Sequence, residues 1–147
     1  MASDLKVDID GIRLNIRVGT VLKFKDEVLI EISTVGRNSV IPGGRIQINE
    51  SSCKAVVREV YEEMHFKINE QKLQMLKVLE NFFTSEQKQF HEIYFLYEYV
   101  LDEEEYKSLQ KIENNFDNST TYFKFVNKMD LKKYNVMPLE IYDTIQK

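Results

Sequence analysis

Hydrophobic and polar positions follow two different periods along this chain, and the switches between them mark its elements. Leu14, Ile16 and Val18 alternate with Asn15 and Arg17, the period of a half-buried strand, and Val21-Leu22-Lys23-Phe24 continues it. Lys25-Asp26-Glu27 predicts a tight connection into a second strand at 28–32, so a hairpin is expected early in the chain. A loop over 36–39 follows, then Val40-Ile41 and the breaker Pro42-Gly43-Gly44. From Ser51 to Met64 the period becomes helical, with Cys53, Val56, Val57, Val60 and Met64 on one narrow stripe. Strand patterns return at 76–83 and 90–100, where Ile93, Phe95, Tyr97 and Tyr99 face one way. An acidic stretch at 102–105 comes next, then a short helix-like piece to Ile112, a polar loop at 114–120 and a last strand at 121–126. Pro138 suits the first turn of a terminal helix, a position that needs no amide hydrogen. This order predicts an α/β protein, a mixed sheet with helices packed on it.

The 147 residues suit one domain over 1–147, since no repeat, low-complexity tract or linker divides them. Hydrophobic residues at 43% and charged residues at 30% exclude a disordered or fibrous chain. The net charge of -4 argues against non-specific binding to nucleic acid or to an anionic membrane, both of which need basic surface. No apolar run approaches the ~20 residues of a membrane span, and the opening MASDLKVDID is too polar for a signal peptide. A cytoplasmic protein is expected. The single cysteine, Cys53, lies on the helical stripe and reads as packing, not as a nucleophile or metal ligand.

Candidate chemistry gathers on a second face of the helix at 51–64. Ala55, Glu59, Glu62 and Glu63 lie together there, away from the apolar stripe, so three carboxylates project from about one turn. Like charges at this spacing cost a few tenths of a kcal/mol per pair, and the nearby helix C-terminus also disfavours negative charge. A bound cation would offset both. Carboxylate oxygens without a thiol or imidazole cluster select Mg²⁺, Mn²⁺ or Ca²⁺ over Zn²⁺. A solvated glutamate face is the plainer alternative. Against it stand the Pro-Gly-Gly turn before the helix, Glu50 at its start and Arg58 beside the acids.

The segment GRIQINESSCKAVVREVYEEMHF, residues 44–66, resembles the Nudix box. That pattern runs Gly, five residues, Glu, seven residues, then Arg-Glu-aliphatic-any-Glu-Glu-any-Gly-aliphatic. Gly44, Glu50, Arg58, Glu59, Val60, Glu62 and Glu63 fall in register and Phe66 fills the last apolar place. His65 stands where the family has glycine. The later runs Glu80-Asn81-Phe82-Phe83 and Phe90-His91-Glu92-Ile93 resemble a bacterial subgroup whose substrates are mostly unassigned.

The resemblance implies an α/β/α sandwich with a catalytic loop–helix–loop. It also implies a metal-dependent pyrophosphohydrolase that splits a nucleoside diphosphate linked to another moiety by attack of water on phosphorus. Glu59, Glu62 and Glu63 match the family's metal ligands, with the Gly44 carbonyl as a further one, and the metal is Mg²⁺ or Mn²⁺. Arg58 matches the residue that ion-pairs within the box, and Glu50 its accessory acid. The general base varies in this family between a box glutamate and an acid on a distant loop. Glu103, Glu104 and Glu105 are candidates for the latter, with a solvated acidic turn as the alternative.

The family's subgroup markers for ADP-ribose, diadenosine polyphosphate, NADH and coenzyme A substrates are mostly absent, which lowers those readings, and a (d)NTP or NDP-sugar-like nucleotide ranks ahead of capped RNA because no basic RNA-binding surface is evident. The partners implied are a small nucleotide, no nucleic acid and no membrane, with a homodimer left open. A nucleotide-binding regulator of the same fold without turnover is the alternative function, and the intact glutamate set counts against it. Arg37 and Arg45 flank the box as candidate phosphate or ribose contacts, with Arg13 and Arg17 behind them. Phe82, Phe83, Tyr94, Tyr97 and Phe125 are candidates to stack on a base, although their strand periodicity puts most in the core. His91 reads as a packed or surface histidine. His65 reads as a tolerated residue at a left-handed helix C-cap, so that replacing it with glycine is expected to leave activity within a few-fold.

Overall fold

The computed structural model describes residues 2–36 and 38–146. Two long strands carry the sheet. β2 (Ile12–Phe24) and β7 (Lys88–Val100) run parallel, from Ile12 opposite Gln89 to Lys23 opposite Val100. Parallel strands need both faces covered, and here they are. Val18, Leu22, Tyr97 and Tyr99 enter one core cluster, and Val21, Tyr94 and Leu96 enter another on the opposite face. β6 (Gln74–Ser85) pairs antiparallel with β7 around a tight turn at Glu86 and Gln87, both at positive φ.

On the other side β2 meets β3 (Glu27–Ser33) through the predicted hairpin. β3 also carries β8 (Thr121–Asn127) and the two-residue β4 (Ser39–Val40), and β9 (Val136–Met137) lies parallel to β4. β1 (Lys6–Ile9) folds back on the start of β2 through Asp10 and Gly11, both at positive φ. The sequence pattern misses β1 because all four of its residues are exposed and show no alternation.

The Pro42-Gly43-Gly44 segment is not a simple breaker. Gly43–Arg45 forms β5, paired antiparallel with β2, with Gly43 opposite Gly19 and Gly44 opposite Val18. A Cβ on Gly43 would stand 2.1 Å from the Val18 carbonyl oxygen, so glycine alone allows the two backbones this close.

α1 (Ser52–Met64) follows. The Ser51 hydroxyl accepts from the Lys54 amide at 3.1 Å to cap its start, and His65 ends it in the left-handed region at φ 53. The acidic stretch at 102–105 belongs to the next helix. Asp102 caps α2 (Glu103–Gln110) in a reciprocal capping box with Glu105, so the glutamates fill the first turn, where the helix dipole favours them. The chain ends with a 3-10 turn at Leu139–Ile141 and α3 (Tyr142–Ile145), and Pro138 immediately precedes that turn. α1 and α2 cover one face of the sheet, while Leu131, Ile141, Tyr142 and Ile145 cover the other. The expected layering of helices on both faces of a mixed sheet is therefore observed, with short elements on the second face. No helix of the described residues is long and apolar enough to cross a membrane.

Candidate active site

α1 buries more of its surface than the apolar stripe predicts. Ala55 and Glu63 are buried together with Val56, Val60 and Met64, so the acidic face is not simply turned to solvent. Glu63 is only 4% exposed. Its Oε1 accepts the Gly43 amide at 3.2 Å, and its Oε2 has no hydrogen-bond partner among the described residues. β5 places that amide, because pairing with β2 holds Gly43 against the sheet beside α1. Gly44 has a related duty. A Cβ there would stand 2.4–2.6 Å from the carboxylate atoms of Glu59, so the bare glycine leaves the room that Glu59 occupies.

Arg58 gathers the remaining acids. Its Nε and Nη2 donate to the two oxygens of Glu50 at 2.7 and 2.9 Å, a bidentate fork. Nη2 also donates to the Arg45 carbonyl at 3.0 Å, and Nη1 donates to Glu59 at 2.9 Å and to Glu62 at 3.4 Å. Glu50 in turn accepts the Gln47 amide at 3.0 Å. The guanidinium thus ties the loop before α1 to the helix itself. The hydrogen bonds from Arg58 hold the Glu50 carboxyl below its ordinary value, and Glu50 holds the Arg58 guanidinium above its own.

Glu59 and Glu63 behave oppositely. Burial pushes Glu59 up to about 7 against the pull of Arg58, with Glu62 and Asp117 adding to the rise. Burial pushes Glu63 up to about 9, helped by the charges of Glu31, Glu59 and Asp117. Two carboxylates that resist ionisation, one with an orphaned buried oxygen, are what a site short of positive charge looks like. A divalent cation fits that deficit, and oxygen donors alone suit Mg²⁺ or Mn²⁺. Among the described residues, no three acidic, histidine or cysteine side chains stand together as a ready-made metal site, and Glu59 and Glu62 are instead engaged by Arg58.

Glu31 and Asp117 add negative charge that the box glutamates feel, and the sequence pattern does not reveal them. Glu31 comes from β3 and accepts from the side chains of Asn115 and, at 2.9 Å, Thr121. Asp117 lies in the loop between α2 and β8, where the Asn115 side chain accepts its amide at 2.7 Å. Both acids are far from the box in sequence, so only the pairing of β3 with β8 and the path of the loop bring them near Glu63. His65 adopts the expected left-handed C-cap, its amide donating to the Tyr61 carbonyl at 2.8 Å.

The distal acids are engaged elsewhere. Glu105 accepts from Lys72 at 2.5 Å and from Tyr99 at 2.6 Å. Burial acts to raise its carboxyl, yet the Asp102 amide, Lys72 and Tyr99 together hold it below its ordinary value. Glu103 pairs with Lys107 at 3.3 Å and is exposed, as is Glu104. Of the candidate arginines, Arg45 donates to Asn15 at 3.1 Å and faces Asp4 at 3.8 Å. Arg13 forks onto Asp8. Arg17 lies 3.7 Å from the buried Glu92. Arg37 lies outside the described residues. Cys53 is half-buried and packs against the core, and burial pushes its thiol up, away from nucleophilic behaviour.

A cleft of about 520 Å³ opens on the face of the sheet opposite α1. Arg17, Asn81, Phe82, Phe83, Glu92 and Tyr94 line it from the sheet, and residues 137–140 line it from the C-terminal segment. Phe82 is 65% exposed. Tyr94 links the cleft to the box, because its hydroxyl packs where a Cβ on Gly19 would be and feels the charge of Glu63. Of the aromatic candidates, Phe82, Phe83 and Tyr94 therefore reach the cleft. Tyr97 is buried in the α1-side core, where its hydroxyl bonds Ser52 at 2.6 Å, and Phe125 packs against that core. His91 lies against the Phe82 ring at 4.5 Å between centroids, its Nε2 buried without a partner among the described residues.

A curled mixed sheet with a carboxylate-bearing loop–helix–loop on one face defines the class of fold. Solved structures share it. A mutator MutT protein from Bacillus halodurans superposes with a TM-score of 0.66 at 16% identity, covering 90% of this chain and 80% of its own. A MutT protein from Methanosarcina mazei Go1 gives 0.59 at 18% identity, covering 95% and 94%. The C. elegans Ap4A hydrolase gives 0.58 at 16%, covering 90% and 94%. At such identities the likeness is one of fold. No curated protein sequence matches the chain. The NUDIX domain profile, however, matches residues 15–141, and the chain belongs to the Nudix family. It is accordingly a pyrophosphohydrolase of a family that acts on nucleoside diphosphates linked to another moiety.

Proposed function

We propose that the protein is a Mg²⁺- or Mn²⁺-dependent hydrolase of a small nucleotide, a (d)NTP or an NDP-sugar-like compound, with its base held in the 520 Å³ cleft. The observation that carries this reading is Glu63, buried against the Gly43 amide with one oxygen unpartnered beside a second carboxylate that also resists ionisation. Glu59, Glu62, Glu63 and the Gly44 carbonyl would hold the cation. When bound, it supplies the positive charge that neutralises the diphosphate and acidifies the attacking water.

The protein's own groups do the rest. Arg58 fixes the rotamers of Glu50 and Glu59, so the carboxylates meet the substrate in one arrangement. Glu63 is kept in place by the sheet through Gly43. A box glutamate takes the proton of the water, since Glu105 is committed to Lys72 and Tyr99, and Glu103 to Lys107. The water oxygen bonds to phosphorus, and the bridging phosphorus–oxygen bond breaks with its electron pair on the departing phosphate. Phe82 and Phe83 offer aromatic faces to the base, while Asn81, Arg17 and Glu92 offer polar contacts. Small nucleotides are made and consumed in the cytoplasm, which is where this reading places the enzyme.

A panel of nucleotides incubated with Mg²⁺ and scored for phosphate, pyrophosphate and monophosphate tests the proposal. Release of a monophosphate from at least one member, abolished by chelator, is expected. No hydrolysis across (d)NTPs and NDP-sugars would overturn it.

A further inference from the structure

The cleft has a buried acid in its wall that the attack on phosphorus does not use. Glu92 on β7 lines the cleft and is only 5% exposed. An acid is rarely buried this far unless its partners or its task hold it there. Strand register shows how it is held. Asn81 on β6 and Asn15 on β2 stand opposite Glu92 from its two sides, so the three side chains form one row on one face of the sheet. Asn15 Nδ2 donates to Glu92 Oε2 at 2.8 Å, and Asn81 Nδ2 donates to Oε1 at 3.4 Å. Arg45 Nε donates to the other end of the buried Asn15 amide at 3.1 Å. Arg17, two positions along β2, brings Nη1 to 3.7 Å from Glu92 Oε2 and keeps its own side chain 33% exposed.

Two amides do not exhaust a carboxylate. It offers about four lone-pair sites, and Asn15 and Asn81 take one each. The cleft therefore presents a fixed acceptor beside a guanidinium with donors to give. Guanine is the common base whose edge matches that order, with the O6 carbonyl, the N1–H and the 2-amino group in sequence. Adenine and cytosine turn a ring-nitrogen lone pair toward the carboxylate next to their amino group, and uracil or thymine flanks its single N–H with two carbonyls. Each of these leaves a buried acceptor facing another acceptor, which is costly. The Phe83 ring, stacked on Phe90 at 4.7 Å between centroids, lines the same cleft and offers the base a flat surface.

We propose that Glu92 and Arg17 read the base in this cleft and select a guanine nucleotide, Glu92 accepting from N1–H and the 2-amino group while Arg17 donates to O6. Asn15 is a positioning residue in this scheme, since it acts by holding the Glu92 carboxylate. The inference rests on the reading of the cleft as the base site given above and narrows it to one base.

Titration of the purified protein in EDTA with GMP, IMP, XMP and AMP, followed by protein amide chemical shifts, tests base reading without turnover and reports the fold in the same spectra. The wild type is expected to bind GMP about tenfold or more tighter than AMP, with IMP, which lacks the 2-amino group, in between. Glu92→Gln should lose about tenfold or more in GMP affinity and bind XMP at least as well as GMP, because its amide can donate to the 2-oxo group. Asn15→Ala should narrow the ratio of GMP to AMP affinity. Arg17→Gln, a change at a partly exposed side chain, should weaken GMP and IMP alike and leave AMP unchanged, and it carries the test if Glu92→Gln fails to fold. Equal binding of GMP and AMP by the wild type overturns the proposal, and so does an unchanged preference for GMP over XMP in folded Glu92→Gln or an unchanged GMP affinity in Arg17→Gln. Selective GMP binding by a protein that hydrolyses no nucleotide overturns the hydrolase reading and leaves the base reader standing. Hydrolysis by a wild type that binds GMP and AMP alike does the reverse.

Discussion

Glutamine at position 63 keeps the length of Glu63 and the acceptor it offers to the Gly43 amide, but it cannot ionise. With the metal withheld by a chelator, the folded wild type holds its Glu63 proton up to about 9, against 4.5 for an ordinary glutamate. Between those values the unfolded chain has lost a proton that the folded chain keeps, so stability falls as pH rises. Each pH unit corresponds to about 1.4 kcal/mol. At pH 7, some 2.5 units above the ordinary value, the wild type has forgone about 3 kcal/mol that Glu63→Gln does not lose. Urea unfolding in EDTA at a series of pH values measures the difference. The variant should match the wild type near pH 4.5, exceed it by about 3 kcal/mol at pH 7 and stop gaining above about pH 9. Adding Mg²⁺ should narrow the gap, because only the wild-type folded state gains the ligand. A gap that does not vary with pH, or a variant less stable than the wild type at pH 7, would refute the assignment of Glu63 as a buried carboxylate awaiting a cation.

Activity should move the other way. Glu63→Gln and Glu59→Gln should each lose about a hundredfold or more in turnover with Mg²⁺ present, measured on the best substrate of the nucleotide panel. Arg58→Lys keeps the charge but loses the fork onto Glu50, so steady-state kinetics should show turnover falling more than the Michaelis constant rises. Gly44→Ala and Gly43→Ala should separate function from folding. The first meets only the movable end of Glu59 and should lower Mn²⁺ affinity with little change in melting temperature, whereas the second meets the Val18 backbone and should lower the melting temperature itself.

The box helix was legible because everything it needs lies within one stretch of sequence: a serine cap, an apolar stripe, and acids three and four residues apart. Its burial was not. The helical period puts Glu63 on a second face, and nothing local says that β5 will pack an amide against that face. Pro42-Gly43-Gly44 reads as a breaker by composition, yet the same glycines are what let a strand approach β2 closely enough to pair. The acids at 103–105 resemble a free acidic turn because their cap, Asp102, is itself one more acid of the same run. Glu31 and Asp117 carried no local signal at all, since their relation to the box exists only once β3 and β8 have paired. Likewise, the cleft depends on the C-terminal segment returning to the sheet, which periodicity does not report.

The parallel pairing of β2 with β7 also governs how the protein reaches this form. Asn15 and Glu92, bonded at 2.8 Å across that pair, are 77 positions apart. The chain must close a long loop before the central strands reward it, which makes for slow folding relative to a helical protein of this size. During synthesis the box helix emerges well before β7, so its apolar stripe and the strands it will cover wait without the partner that completes their sheet. A nascent chain stalled before residue 88 would hold the carboxylates and Arg58 but neither β7 nor the tyrosine that links the cleft to the box. Half-made copies of this enzyme therefore lack the completed sheet and the cleft, and they leave the apolar stripe of the box helix uncovered until residues 88–100 arrive.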